Sequence, residues 1–162
     1  MEYTEKFKEK YTEKAKKYNL PAFEEINSDL FLNDFLNDRK YVPENILGFV
    51  RVKLVELLGS WINFLHSFIM PNPQSAILMK DYEATNEDDK KKIIKMIQDI
   101  MISQRETILI GLEKDEKKDA EFLKKYYKLW NDIKPKLAEI TQRNIDNWKK
   151  GEPEEVAEKL GR

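Results

Sequence analysis

The chain has 162 residues, 41% of them hydrophobic and 36% charged, with a net charge of −1. That length suits one domain with its own hydrophobic core, and the balance excludes a disordered chain or one that is acidic or basic throughout. The absence of cysteine excludes disulfides, thiolate metal sites and a thiol nucleophile.

Taken in order, the charged start MEYTEKFKEK has no apolar core and does not read as a signal peptide. Tyr3, Phe7, Tyr11, Ala15 and Tyr18 recur every three or four residues, which predicts a helix over residues 2–18 with one apolar stripe. That segment either docks on the rest of the domain or serves as an arm (1–18) for a partner. Asn19 is its stop, and Pro21 opens a short helical turn over residues 22–26. Residues 27–42 stay open. Ser28 can cap a short helix carrying Leu30, Phe31, Phe35 and Leu36, whereas the alternation in DLFLNDF also fits a strand. Asn37 to Lys40 read as a loop, and Tyr41-Val42 as extended before Pro43.

Residues 44–70, fenced by Pro43 and Pro71, are the organising element. Leu47, Val50, Leu54, Leu58, Trp61, Leu65 and Phe68 share one helical face, and Phe49, Val55, Ile62 and Ile69 widen it. Only Lys53, Glu56, Ser60, Asn63 and Ser67 form a polar stripe, so a nearly fully buried central helix is expected. Arg51, Lys53 and Glu56 leave too short an uncharged run for a membrane span, which needs about 20 residues; no membrane association is expected.

After the MPNPQ break, Asn72 and Pro73 fit the cap and first position of a short helix to about Tyr82. Thr85 and Asp88 resemble a capping box before a long helix over 87–112. There Ile93, Ile94, Ile97, Ile100, Met101, Ile108 and Leu112 share a face that includes Gln104. A fifth helix (116–131) buries Ala120, Leu123, Tyr126, Tyr127, Trp130 and Ile133. A sixth, capped by Asp132 with Pro135 in its first turn, runs to about Lys150 and buries Leu137, Ile140, Ile145 and Trp148. A frayed tail (152–162) closes a single helical domain over 1–162. The expected fold is all-α: an irregular multi-helix bundle around the central helix.

Three pieces recur together in a known pattern: Leu20-Pro21-Ala22-Phe23-Glu24-Glu25, the central helix ending at Pro71, and Asp115-Glu116-Lys117-Lys118-Asp119-Ala120-Glu121-Phe122. In order and spacing they resemble an uncharacterised family of short, all-helical archaeal proteins. The chain departs from that pattern at residues 43–47 and in the tail beyond Trp148. The resemblance implies an all-helical fold and a prokaryotic cytoplasm. It brings no activity and no functional residues.

Chemistry is sparse. The five glycines are scattered, so no phosphate-cradling loop can be assembled. His66 is the single histidine, which excludes a two-histidine zinc site, and Asn63 stands where a di-iron Glu-x-x-His motif needs its Glu. Glu56, Asn63 and His66 lie on adjacent edges of one helix, as an acid–base cluster or a solvated stripe. No catalytic, cofactor-binding or metal-binding set is assigned, and no cofactor is expected. Gln104 on an apolar face calls for a polar partner; Ser60 and Asn63 are the candidates for a buried site that sets helix register. Gly48 and Gly59 are expected to let another backbone approach closely. Lys117, Lys124, Lys125 and Lys128 form the one basic face, interrupted by Glu121 and Asp132 and continued by Lys134 and Lys136, a candidate phosphate-contact patch. The leading expectation is a non-catalytic protein-interaction module with an unknown partner or with itself. The alternative is weak, sequence-tolerant nucleic-acid binding.

Overall fold

The computed structural model describes residues 2–151 and 153–161. Among them are nine helices and no strand, an all-α multi-helix bundle. Met1, Glu152 and Arg162 lie outside the described residues, so the expected arm (1–18) and tail (152–162) are seen only without them. Where the sequence reads as one domain, the chain divides into two compact units, each made of two separated stretches. The first is Met1–Gly59 with Ser103–Leu129, the second Ser60–Ile102 with Trp130–Arg162.

The first unit begins with α1 (Glu2–Tyr18), α2 (Phe23–Leu30) and α3 (Leu32–Arg39). Phe7 and Tyr11 of α1 are fully buried, and the Phe7 ring meets those of Phe23 and Phe49. The open question over residues 27–42 is answered by two helices joined at Phe31, which adopts a left-handed conformation (φ 51°). Ser28 caps nothing; it lies inside α2 and its hydroxyl donates to the Glu25 carbonyl. Asn27 makes the join instead, its Oδ1 accepting from the Asn33 N–H at 2.9 Å. The expected loop 37–40 is helical to Arg39 and ends on left-handed Lys40.

The central stretch forms two helices, α4 (Ile46–Ser60) and α5 (Ile62–Ser67), with a turn at Trp61. Leu47, Val50, Leu54, Leu58, Leu65 and Phe68 are buried as expected, whereas Trp61 is half-buried and Val52 is exposed. One unbroken helix over 44–70 is therefore corrected to a broken one. The apolar positions persist across the break because a single turn residue barely alters the helical spacing.

The second unit holds α5 and α6 (Ala76–Ala84), the first turns of α7 (Glu87–Glu113), the later turns of α8 (Glu116–Lys149), and α9 (Pro153–Leu160). The cap of α6 is Ser75, whose Oγ accepts from the Leu78 N–H; Asn72 instead closes the preceding turn, accepting from Gln74 N–H. Asn86, not Thr85, caps α7: its Oδ1 accepts from Asp89 N–H at 2.8 Å and its amide donates back to Asp89 Oδ2.

Two further expectations are corrected. The fifth and sixth helices are one continuous α8 with Pro135 inside it. The proline ring removes the donor for the Asn131 carbonyl, but both residues are exposed, so water can take that role. On α7 the buried line is Asp89, Ile93, Met96, Ile100 and Ser103. Ile94, Ile108 and Leu112, read as core from their spacing, are 53%, 58% and 78% exposed. Helical period alone cannot choose between two apolar faces of one helix. Beyond Pro135, Leu137 and Ile140 are buried, Ile145 is exposed and Trp148 is half-buried.

Candidate functional site

The densest polar cluster lies inside the first unit, where α4 begins. Asn45 caps that helix, its Oδ1 accepting from the Gly48 N–H at 2.9 Å. A Cβ on Gly48 would collide with the Asn45 amide, so a larger residue here would have to displace the capping side chain. One turn on, Arg51 is buried against Asp119 of α8, with Nε donating to Oδ1 at 2.6 Å. Its Nη1 also donates to the Thr107 carbonyl at 2.8 Å and to the Thr107 hydroxyl. Asn45 Nδ2 reaches the other Asp119 oxygen at 3.4 Å. The guanidinium and carboxylate are thus paired and hydrogen-bonded in the interior, their side chains 9% and 2% exposed. The cluster joins α4, α7 and α8.

Sequence reading did not find this pair, although both charges sit in core register. Arg51 falls on the Leu47–Leu54–Leu58 line, and Asp119 precedes Leu123, Tyr126 and Trp130 at spacings of four, three and four. An opposite charge on each of two apolar lines is the signal that points to such a pair.

The expected buried register site is corrected. Ser60 and Asn63 are exposed and Gln104 is half-buried; the fully buried polar side chain of α7 is Ser103. A Cβ on Gly59 would lie 2.8 Å from Gln104 Nε2. The room left by Gly48 and Gly59 is therefore taken by side-chain amides, not by an approaching backbone. His66 and Glu56 are also exposed, and Glu56 accepts from Lys53 Nζ at 2.8 Å. Among the described residues no group of three or more His, Asp or Glu side chains is placed to hold a metal, and no helix is long and apolar enough to cross a membrane.

All four lysines of the basic face are exposed. Lys125 is engaged, however: its Nζ binds Glu106 Oε1 at 2.8 Å and lies over the Tyr126 ring, while the Tyr126 hydroxyl donates to Glu106 Oε2 at 2.7 Å. Burial works against the Glu106 charge, yet the hydrogen bonds from Lys125 and Tyr126 hold its carboxyl below the usual range. Burial, then the bond to Glu106, push the Tyr126 phenol up to about 12. Lys134 and Lys136 belong to the second unit.

Open concavities of about 940 Å³ beside α6 and the end of α9 and of about 500 Å³ along α1 are lined mainly by surface side chains, including Lys80, Glu83 and Lys159 in one and Glu5, Lys8 and Glu13 in the other. Two further concavities adjoin groups of packed side chains. In the second unit, Asp81 Oδ1 accepts from Asn144 Nδ2 and Trp148 Nε1, both at 2.8 Å, and Arg143 Nη2 donates to Asp89 Oδ1 at 2.6 Å. These groups line a cavity of about 50 Å³, against which Asn147 Nδ2 is buried without a partner. Such a space takes one or two waters at about 30 Å³ each; metabolite pockets start near 300 Å³. In the first unit, a groove of about 420 Å³ runs between the α2–α3 junction and α4, lined by Leu30, Phe31, Phe35 and Leu57 with Asp29, Asp34, Glu56 and Lys53.

Fold and sites together define an all-α multi-helix bundle with a buried Arg51–Asp119 cluster and exposed aliphatic side chains on the last turns of α7. No family model, curated protein or solved structure matches the chain.

Proposed function

We propose that this chain is a non-catalytic helical module that binds a protein partner through the last turns of α7. The observation behind the reading is the exposure of Ile108, Leu109 and Leu112 at 58%, 57% and 78%. Three large aliphatic side chains within five residues leave apolar surface in water, which a covering partner would remove. The scarcity of reactive groups fits the same reading. The sequence-tolerant nucleic-acid alternative, resting on Lys117, Lys124, Lys125 and Lys128, has less behind it. Lys125 is already neutralised by Glu106, and the aromatic rings of that helix, Phe122, Tyr126 and Tyr127, are buried, so they offer no stacking platform.

The test places a photo-reactive amino acid at Leu109 and irradiates the protein in lysate of its source cells. One discrete adduct is expected, competed away by excess unlabelled protein but not by the Ile108→Glu/Leu112→Glu variant. A folded monomer that gives no adduct, yet turns over a compound from a metabolite panel, would overturn the reading.

A further inference from the structure

Arg105 belongs to the same face of α7 as the exposed aliphatic residues. Arg105, Ile108, Leu109 and Leu112 follow the spacing i, i+3, i+4, i+7, which places them within an arc of about 100° around the helix. Ser103 and Thr107 occupy the opposite side. Ser103 is fully buried, and the Thr107 carbonyl accepts from Arg51 Nη1. The end of α7 is thus anchored on one side and, on the other, presents the spacing by which a helix is gripped by a partner.

Between Ser103 and Glu113 the ionised side chains are Arg105, Glu106 and Glu113. Both carboxylates are held by lysines of α8, Glu106 by Lys125 at 2.8 Å and Glu113 by Lys118. Arg105 is exposed, and among the described residues its guanidinium has no hydrogen-bonding or ionic partner. One unanswered cation therefore stands a single turn before Ile108 and Leu109. A partner that covers those aliphatic groups also covers the stem of the arginine. If that partner is apolar at this point, it strips water from the guanidinium and puts nothing in its place.

We infer that the partner bound here is a protein segment whose aliphatic residues lie one helical turn from an aspartate or glutamate. The aliphatic groups cover Ile108, Leu109 and Leu112, and the carboxylate meets Arg105 through paired N–H···O bonds. Charge complementarity selects this occupant. A basic segment is repelled, and a second copy brings its own Arg105 while both of its nearby acids are already held. The inference rests on the last turns of α7 being the binding surface and adds the charge of what binds there.

Selection of random peptides of about 16 residues, roughly four helical turns, on the full chain tests the inference. Enriched peptides are expected to carry Asp or Glu three or four positions from Leu, Ile, Met or Phe. They should bind Arg105→Glu about tenfold more weakly, and exchanging their acid for Lys should restore binding to that variant. The Ile108→Glu/Leu112→Glu variant should bind none of them. Arg105→Glu should melt at nearly the wild-type temperature because the side chain is exposed, which separates lost binding from lost folding. Peptides that need the α7 face but are basic or uncharged, or that bind Arg105→Glu as well as wild type, would overturn the inference and leave the surface standing. Peptides indifferent to Ile108→Glu/Leu112→Glu would overturn both. No enrichment would overturn the inference, and the Leu109 adduct would then judge the surface alone. A concentration-dependent dimer abolished by Leu112→Glu would also overturn it, by making a second copy the occupant.

Discussion

Each unit contains an arginine–aspartate pair at 2.6 Å, Arg51–Asp119 in the first and Arg143–Asp89 in the second. The contacts are equal in length and unequal in setting. The Arg51 and Asp119 side chains are 9% and 2% exposed, those of Arg143 and Asp89 are 41% and 9%. In the first pair both ions have left water, so each depends on the other and on Thr107 and Asn45. In the second the guanidinium stays hydrated and is shared with Glu139, while Asp89 also receives the Asn86 amide at the start of α7. Distance alone therefore says little about what a pair contributes; the solvation of the ions decides it.

The largest expected effect comes from breaking the dry pair. Arg51→Met strands the Asp119 carboxylate in the interior and is expected to cost about 3–5 kcal/mol in urea unfolding. Adding Asp119→Leu should restore most of that loss, because two apolar groups need no solvation. A double variant as unstable as the single one would mean that the pair is not what holds α4, α7 and α8.

In the second unit, Arg143→Ala is expected to cost only about 1 kcal/mol, since the pair is half in water and Asn86 still serves Asp89. All three tryptophans, Trp61, Trp130 and Trp148, belong to this unit, so their fluorescence follows the variant directly. A loss as large as that of Arg51→Met would erase the contrast between the two pairs.

A further effect is set by pH and belongs to the first unit. Burial is the leading cause that raises the phenols of Tyr11, Tyr126 and Tyr127. A phenol with a raised folded pKa keeps its proton when the unfolded chain, titrating near 10, has lost it. Stability from these groups is thus full below pH 10 and falls as pH rises toward 12. The urea midpoint should decline across that window, and less steeply in Tyr126→Phe/Tyr127→Phe. An equal slope in that variant would assign the decline to other groups.

The helices were largely legible because apolar spacing and backbone breakers are local properties. Phe7, Tyr11, the Leu47–Phe68 line and Ala120 to Ile133 were all read from periodicity. The Asn27 join and the Asn86 cap were missed because several neighbouring side chains could serve, and only the backbone path selects one. Gln104, Ser60 and Asn63 were grouped by helical face, but face is not depth. The lysines could be counted from the sequence; the hold of Glu106 on Lys125 could not, since the two lie 19 residues apart on different helices.

By itself the sequence determined the all-α class, the lack of thiol chemistry and most of the buried positions, since each depends on composition or on neighbours within a few residues. Tertiary structure decided which apolar face of α7 is buried, that Arg51 would meet Asp119 across 68 positions, and that Phe31 would stand in water on a strained turn. Those outcomes depend on which surfaces far apart in the chain cover one another, and a periodic pattern holds no record of that.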